Sequence, residues 1–208
     1  MNDLIKVIIV DDHESMLDSL EKEFSKENGF EVVSSLENAA FAVAECRLMQ
    51  PALVIMDVCT EGGASGLEAA ASIRKHCPEI KIIVTSGFDE ISYAPRAKEL
   101  GAHAFIYKTR SLGHYREVAL RVLAGECVFP EPRSIPLPRG KTPFTDREME
   151  ILYLICRYKK NPEIASELFI SEHTVKRHIQ NILGKSGFPT MMELVIYVLS
   201  NGWINPNY

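Results

Sequence analysis

Five short apolar runs that alternate with amphipathic stretches restrict the fold of the first 124 residues more than any other feature. The runs lie at residues 5–10, 30–34, 53–58, 80–85 and 104–108. Continuous apolar runs of this length are typical of strands that are buried on both faces. The helical spacing of apolar residues between them predicts helices over 14–27, 38–49, 66–76, 90–100 and 111–124. The alternation predicts an α/β fold with a five-stranded, doubly wound parallel sheet.

A proline-rich segment ends this alternation. Five prolines lie between residues 126 and 143, and proline both fixes φ and disfavours a helical conformation at the residue before it. We therefore expect one domain at residues 1–125, an extended linker at 126–143 and a second, small all-α domain at 144–208. The first helix of that domain is predicted by Thr145 and Glu148, which have the spacing of a capping box.

The net charge of -5 is unevenly distributed along the chain. From Lys141 onward there are eight basic and seven acidic residues, whereas the preceding part has 15 basic and 21 acidic residues. The first part is too acidic to bind nucleic acid by itself, but the second can do so if its positive charges cluster.

The cysteines and the apolar content indicate a cytoplasmic protein. Five scattered cysteines without a CxxC pair predict reduced thiols rather than disulfides or a zinc site. No apolar stretch approaches the roughly 20 residues of a membrane span. Two aspartates follow the first apolar run directly, which argues against a signal peptide. We expect no association with a membrane.

Polar side chains follow four of the five apolar runs. Asp11 and Asp12 follow the first run, Asp57 lies at the end of the third, and Thr85 and Lys108 end the fourth and the fifth. In a parallel sheet these ends meet at one edge, where ligands bind. Three crowded carboxylates repel one another, and Mg²⁺ relieves the repulsion through oxygen ligands. Asp57 can then attack phosphorus to give an aspartyl phosphate, while Lys108 and Thr85 contact the phosphoryl oxygens.

Each of these residues taken alone fits an ordinary solvated strand end equally well. An aspartate at a strand end is common, and Thr85 can simply prolong a strand. The ordered combination of all five at one edge of the sheet favours a functional site.

The second domain contains a helix-turn-helix pattern. Its first helix is predicted from Asn161 to Leu168. Its second is predicted to begin at Ser171 and to end at Gly184, with Gly187 as the alternative end. On the second helix, Val175 and Ile179 lie on an apolar face. The opposite, polar face and its flank contain His173, Thr174, Lys176, Arg177, Gln180 and Asn181. A helix of this kind fits the major groove of double-stranded DNA, although a solvated amphipathic helix has the same polar face.

In its order of strands and polar residues, the first part of the chain resembles the receiver domain of bacterial two-component response regulators, a flavodoxin-like fold. The resemblance implies that Asp11 and Asp12 bind Mg²⁺ together with Asp57 and the backbone carbonyl of Cys59. It implies that a sensor histidine kinase phosphorylates Asp57. Thr85 and Lys108 match the hydroxyl and lysine that contact the phosphoryl group.

The switch aromatic of that family matches Phe105. The chain departs from the family pattern in three places, one of which is the stretch between Thr85 and Lys108, about one residue longer than usual. The residue after Lys108 is Thr109 where the family usually has proline. The loop at 59–63, which reads Cys-Thr-Glu-Gly-Gly, is about one residue longer than usual. These departures leave the chemistry of the site intact and bear on loop geometry and on the strength of the switch.

The stretch FTDREMEILYLI and the segment NPEIASELFISEHTVKRHIQNILGKSG resemble the helix-turn-helix of the LuxR/FixJ/NarL group of regulators. The resemblance implies that Lys176, Arg177 and Gln180 face base edges. It implies that Thr174 and Lys185 contact backbone phosphates, and we expect Lys185 to lie past the end of the second helix. An apolar helix from residue 191 to residue 199 matches the family's dimer contact, and complete burial of this helix is the alternative.

Three hypotheses follow from these patterns. The leading hypothesis is a DNA-binding transcriptional response regulator that is not an enzyme, forms a homodimer when active, and is controlled by phosphoryl transfer to Asp57. The second is a metal-dependent phosphotransferase that acts on small molecules. The third is a degenerate receiver that regulates DNA binding without phosphorylation.

Overall fold

The computed structural model describes residues 4–60, 63–87, 91–131, 134–137 and 143–206. The chain divides into two compact units, an α/β unit of Met1–Phe88 and Ser92–Glu131 and a helical unit of Asp89–Ile91 and Pro132–Tyr208. Part of the predicted linker, at 132–133 and 138–142, lies outside the described residues, as does residue 90 at the predicted start of the fourth helix.

The α/β unit is built on a five-stranded parallel sheet, as the alternation of runs predicts. Its strands are β1 (Ile5–Val10), β2 (Phe30–Leu36), β3 (Leu53–Asp57), β4 (Lys81–Ser86) and β5 (Ala104–Tyr107). Their spatial order is β2-β1-β3-β4-β5, and every neighbouring pair is parallel. All five carboxyl ends therefore lie at the same edge of the sheet.

The interior strands form the core of this unit, and β2 is the exception. All five residues of β3 are buried, whereas β2 is mostly half-exposed after Phe30. The prediction that all five strands are buried on both faces is wrong for β2. Both β2 and β5 are edge strands, but a later segment of the chain pairs with β5 through Val128, whereas β2 has a single strand neighbour among the described residues.

Five helices cover the two faces of the sheet: α1 (Glu14–Glu23), α2 (Ala42–Met49), α3 (Gly66–His76), α4 (Tyr93–Glu99) and α5 (Leu112–Leu123). Helix α1 ends earlier than predicted, because a short 3-10 turn at Lys26–Asn28 follows it. Gly29 ends that turn with φ of 85°, a left-handed conformation that glycine adopts without steric cost.

The first residues of the predicted linker pair with the edge strand β5. Val128 forms a parallel bridge with Ala104. The backbone N–H of Phe105 donates to the carbonyl of Val128 at 3.0 Å, and the N–H of Val128 donates to the carbonyl of His103 at 2.9 Å. The edge of the sheet at β5 is therefore partly covered by the chain that leaves α5.

The helical unit consists of α6 (Asp146–Cys156), α7 (Asn161–Glu167), α8 (Glu172–Ser186) and α9 (Met191–Ser200). The capping box predicted for α6 is present, with the Thr145 side chain accepting from the N–H of Glu148 and the Glu148 side chain accepting from the N–H of Thr145. Ser171 caps α8 in the same manner through the N–H of Thr174. The four helices surround an apolar core that includes Ile151, Ile164, Val175, Ile182, Leu194 and Val198.

Among the described residues, no single helix has the length and apolar character that a membrane span requires. Helices α8 and α9 meet the criteria of length and composition only as a pair bent by 65°. Both helices contribute buried side chains to the core of the helical unit.

Candidate functional site

The acidic site is built at the carboxyl edge of the sheet by three adjacent strands. Asp57 ends β3 and is in register with Thr85 of β4, while Asp11 directly follows β1. Asp57 is 3% exposed and Asp11 is fully buried. Strand register therefore brings together side chains that are far apart in the sequence, as the sequence predicts.

A lysine from the far side of the site joins the two buried carboxylates. Lys108 follows β5, and its Nζ lies 2.7 Å from Asp11 Oδ2 and 3.0 Å from Asp57 Oδ2. Burial alone would lower the pKa of Lys108, but the carboxylates of Asp57 and Asp11 raise it above its ordinary value. The ammonium is therefore charged and holds the position between the carboxylates that a cation favours.

Burial and crowding change the acidity of Asp57. Desolvation raises the pKa of Asp57 to about 7, Lys108 opposes this shift, and Asp11 adds to it. The carboxylate form at neutral pH therefore depends on nearby positive charge. A cation bound beside Asp57 would therefore favour its ionised form.

The donor atoms around Asp57 fit a divalent cation. Ligand atoms of Asp11, Asp12, His13 and Asp57 all lie within 4.8 Å of one another. Three of the four groups are carboxylates, the ligands that hard cations such as Mg²⁺ prefer. His13, at the N-terminus of α1, was not anticipated from the sequence, and its Nδ1 lies 2.8 Å from Asp12 Oδ1.

Thr85 and Phe105 take different positions relative to the site. Thr85 is fully buried, and its Oγ1 lies 3.0 Å from the hydroxyl of Tyr115 on α5. Phe105 is 4% exposed and its ring makes an edge contact with the ring of Tyr107 at 5.1 Å. Tyr115 was not among the predicted site residues, although its helical spacing with Val118 and Val122 indicates a buried position.

The loop after β3 turns back on itself beside Asp57. Cys59 pairs with Ser65 in an isolated antiparallel bridge. The Thr60 hydroxyl accepts from the N–H of Ala39 at 3.0 Å and donates to the carbonyl of Ala64. The longer loop expected at 59–63 falls partly on Glu61 and Gly62, which lie outside the described residues.

Gly66, at the start of α3, was also missed by the sequence analysis. A Cβ at this position would lie 1.8 Å from the backbone carbonyl oxygen of Asp57. The close approach of α3 to the end of β3 therefore requires a residue without a side chain.

In the helical unit, α8 presents the polar face that the sequence predicts. Its exposed side chains include His173, Lys176, Arg177, Gln180 and Asn181. Among the residues that the structure describes, Lys176 and Arg177 form no ion pair. Two nearby glutamates have partners, since Glu163 accepts from the N–H of Lys160 and Glu167 lies 3.8 Å from Lys159, whereas Glu172 in the first turn of α8 is exposed. The outer face of α8 therefore carries unpaired positive charge.

Comparison with known proteins identifies the family. Residues 7–119 match the family described as response regulator receiver domain, and residues 142–198 match the luxR family of bacterial regulatory proteins. The response regulator protein VraR of Staphylococcus aureus (strain Mu3 / ATCC 700698) is 34% identical over an alignment of 208 positions. The alignment covers 96% of this chain and 99% of VraR. The chain is a response regulator. It consists of a receiver domain followed by a LuxR-type DNA-binding domain.

Solved structures share the fold of this response regulator. RcsB of Salmonella typhimurium is 21% identical with a TM-score of 0.61, covering 96% of this chain and 100% of RcsB. A structure of two RcsB dimers bound to two parallel DNAs has a TM-score of 0.64 at 21% identity, covering 95% and 98% of the two chains. The receiver domain of the putative regulator NarL of Mycobacterium tuberculosis has a TM-score of 0.56 at 21% identity, covering 60% and 99%.

The position expected for Lys185 in the response regulator is wrong. Gly187 rather than Gly184 ends α8, with φ of 74°, so Lys185 lies within the last helical turn. Its Nζ lies 2.6 Å from Oε2 of Glu148, a side chain that is almost fully buried at the start of α6. Burial alone would raise the pKa of Glu148, but hydrogen bonds from Lys185 and Thr145 lower it. The ammonium of Lys185 therefore has a partner inside the domain.

Proposed function

We propose that this response regulator controls transcription through DNA binding that depends on phosphoryl transfer from a sensor histidine kinase to Asp57. The observation that carries the proposal is the bridge of Lys108 between the buried carboxylates of Asp11 and Asp57. It combines an acceptor carboxylate with a fixed positive charge at the edge where a phosphoryl group would be added. The polar face of α8, in a domain of DNA-binding type, supplies the output.

The chemistry at the receiver site is a transfer between nitrogen and oxygen. A carboxylate oxygen of Asp57 forms a bond to phosphorus as the bond between phosphorus and the kinase histidine breaks, and the released imidazole takes up a proton. Lys108 neutralises charge on the phosphoryl oxygens, and the hydroxyl of Thr85 donates a hydrogen bond to one of them. The receiver domain itself is not an enzyme in this proposal, since the phosphate remains on the protein.

Mg²⁺ is the proposed cofactor of this transfer. Asp11, Asp12 and Asp57 would hold it, together with the backbone carbonyl of Cys59. The clustering of the carboxylate oxygens within 4.8 Å supports this assignment. When bound, Mg²⁺ supplies positive charge to the phosphoryl oxygens, which Lys108 alone does not fully neutralise.

The proposed DNA contacts lie on α8. Lys176, Arg177 and Gln180 would specify sequence in the major groove, because Lys and Arg match guanine edges and Gln matches adenine. Thr174 would contact a backbone phosphate, and a contact from Lys185 would require it to leave Glu148. The exposure of the first three side chains and the lack of an ion pair to Lys176 and Arg177 among the described residues support this division.

Assembly and location complete the proposal. The active form would be a homodimer through α9, whose side chains Met192 and Ile196 are 67% and 57% exposed. These exposed apolar side chains also argue against complete burial of the helix. We propose domain bounds of 1–125, 126–143 and 144–208, with the linker residues up to Glu131 packed on the receiver domain. A regulator that binds genomic DNA and receives phosphate from a kinase would act in the cytoplasm.

The phosphorylation is tested on the full chain with Mg²⁺ and a small acyl phosphate. Wild type should accumulate one hydroxylamine-sensitive phosphate per chain, measured by intact mass, whereas Asp57→Asn should accumulate none. Asp18→Asn, on the exposed side of α1, is the matched control and should behave as wild type. A phosphate on Asp57→Asn would contradict the assignment to Asp57. Rapid phosphate release without accumulation on the wild-type chain would favour the phosphotransferase.

DNA recognition is tested by titrating specific and scrambled duplexes at several salt concentrations. Replacing Lys176, Arg177 or Gln180 with Ala should cost about 1–3 kcal/mol on the specific duplex and less on the scrambled one. Arg157→Ala removes a positive charge outside α8 and should leave the preference unchanged. If all three α8 variants keep both their melting temperature and the wild-type preference, α8 does not recognise DNA sequence.

A further inference from the structure

A buried hydroxyl pair lies directly beneath the receiver site. Thr85 at the end of β4 and Tyr115 in the first turn of α5 are both fully buried, and their hydroxyl oxygens are 3.0 Å apart. Among the described residues, neither hydroxyl has another hydrogen-bond partner. The pair therefore links a strand of the site to α5 by a single bond.

Acidity fixes the protonation state of the phenol in this pair. Burial raises the pKa of Tyr115 to about 12, the bond with Thr85 opposes this shift, and the carboxylates of Asp11 and Asp57 add to it. The phenol is therefore protonated at neutral pH. Each hydroxyl can donate or accept in this bond, so the two oxygens satisfy one another in either direction.

The location of Tyr115 decides which way the Thr85 hydroxyl points. Tyr115 belongs to the apolar cluster of α1, α5 and the sheet, together with Ile9 and Leu20. A phosphoryl group on Asp57 would lie on the other side of Thr85, beyond the carboxyl ends of the strands. In this structure the Thr85 hydroxyl is bonded toward the core and makes no hydrogen bond to Asp57 or Lys108.

We propose that Tyr115 is a positioning residue for phosphoryl transfer, holding the hydroxyl of Thr85 away from the phosphoryl position until the transfer occurs. The inference rests on the proposed function, in which Thr85 donates a hydrogen bond to the phosphoryl group on Asp57. When Thr85 turns toward that group, the buried hydroxyl of Tyr115 loses its hydrogen-bond partner, and this loss opposes phosphorylation. Tyr115 also extends the effect of phosphorylation to α5, because the freed phenol must find a new partner or move.

Tyr115→Phe is the matched variant, since it removes one oxygen and keeps the shape of the ring. The rate of phosphorylation of the full chain is measured with a small acyl phosphate and Mg²⁺, in the wild-type and the Thr85→Val backgrounds. Tyr115→Phe should raise the rate by about 3- to 10-fold in the wild-type background, because the lost bond no longer opposes the rotation of Thr85. In the Thr85→Val background the same change should alter the rate by less than about twofold.

The outcomes separate this inference from the proposed function. An unchanged or slower rate in Tyr115→Phe, with Asp57 still accepting phosphate, overturns the positioning role. An equal acceleration in both backgrounds also overturns it, since a structural effect of the substitution would not need Thr85. If the wild-type chain accepts no phosphate, the proposed function itself fails.

A second measurement on the wild-type chain needs no substitution. Hydrogen exchange of the Tyr115 hydroxyl proton, followed by nuclear magnetic resonance, should be slow before phosphorylation and faster after it, because the hydrogen-bond partner has turned away. Equally slow exchange in both states would show that the bond survives phosphorylation and would overturn the inference.

Discussion

Lys185→Met is expected to destabilise the helical domain rather than weaken its electrostatic attraction to DNA. Methionine keeps most of the apolar stem of lysine but removes the ammonium that lies 2.6 Å from Glu148 Oε2. The side chain of Glu148 is only 4% exposed, and the N–H of Thr145, which the substitution leaves in place, donates to its carboxylate at 2.8 Å. The variant therefore leaves a nearly buried carboxylate without its positive partner.

The size of the effect follows from the geometry of the pair. Removing one partner of a fully buried ion pair costs about 3–5 kcal/mol. The Lys185 side chain is 27% exposed, and the bond from Thr145 remains, so we expect a loss of roughly 2–3 kcal/mol in the free energy of unfolding. Because the pair lowers the pKa of Glu148, its contribution is complete above the ordinary carboxyl pKa of about 4.3. The contribution disappears as the pH falls through the lowered value.

Urea denaturation followed by the fluorescence of Trp203, the only tryptophan in the chain, measures this loss in the helical domain. The set comprises wild type, Lys185→Met, Glu148→Gln and the double variant, at pH 7 and at pH 3. The double variant should recover part of the loss at pH 7, and the difference between wild type and Lys185→Met should shrink at pH 3. A loss below about 0.5 kcal/mol at pH 7, or a salt slope of DNA binding reduced by about one unit, would instead assign Lys185 to a phosphate contact.

Two further predictions concern the receiver domain. Gly66→Ala should destabilise it by roughly 1–3 kcal/mol and slow phosphorylation, because the new methyl group meets the Asp57 carbonyl. Gly113→Ala is the control, since a Cβ added at that position meets open space, and it should stabilise the domain by about 0.5–1 kcal/mol. Equal urea midpoints for the two variants would contradict these expectations. Burial, with smaller contributions from nearby cations, lowers the pKa of His103 to about 4, while its Nδ1 accepts from the N–H of Ile82. The free energy of unfolding should therefore decrease by roughly 1–2 kcal/mol as the pH falls from 6.5 to 4, allowing for the partial exposure of His103. His103→Gln should make the free energy of unfolding less dependent on pH in this range. An unchanged pH profile in that variant would show that another group titrates.

The acidic site was predictable because its residues follow from two regularities. Runs of β-branched residues mark the strands, and parallel strands bring their carboxyl ends to one edge of the sheet. Asp11, Asp57 and Lys108 each lie directly at or after such an end, so the order of strands in the sheet is enough to predict that they are close together. The same reasoning cannot give the hydrogen-bond partner of Thr85, because that partner comes from a helix whose rotation depends on packing.

Helix ends show the other limit of sequence reasoning. Gly184 and Gly187 were both possible ends of α8, and the residues themselves do not distinguish them. The choice moves Lys185 from a loop into a helical turn facing α6, where Glu148 lies. A shift of three residues thus changes the expected role of a side chain from contact with DNA to stabilisation of the domain.

The unequal edges of the sheet have a consequence for association between copies of the chain. An edge strand with free backbone groups acts as a template for strand addition and aggregation. At β5, Val128 already occupies backbone groups of the strand, while the outer strand β2 has a register shift against β1 between Val7 and Ile8 that makes it an irregular template. A receiver fragment that ends at residue 125 loses the cover on β5 and should aggregate more readily, whereas a fragment that ends after Glu131 keeps it.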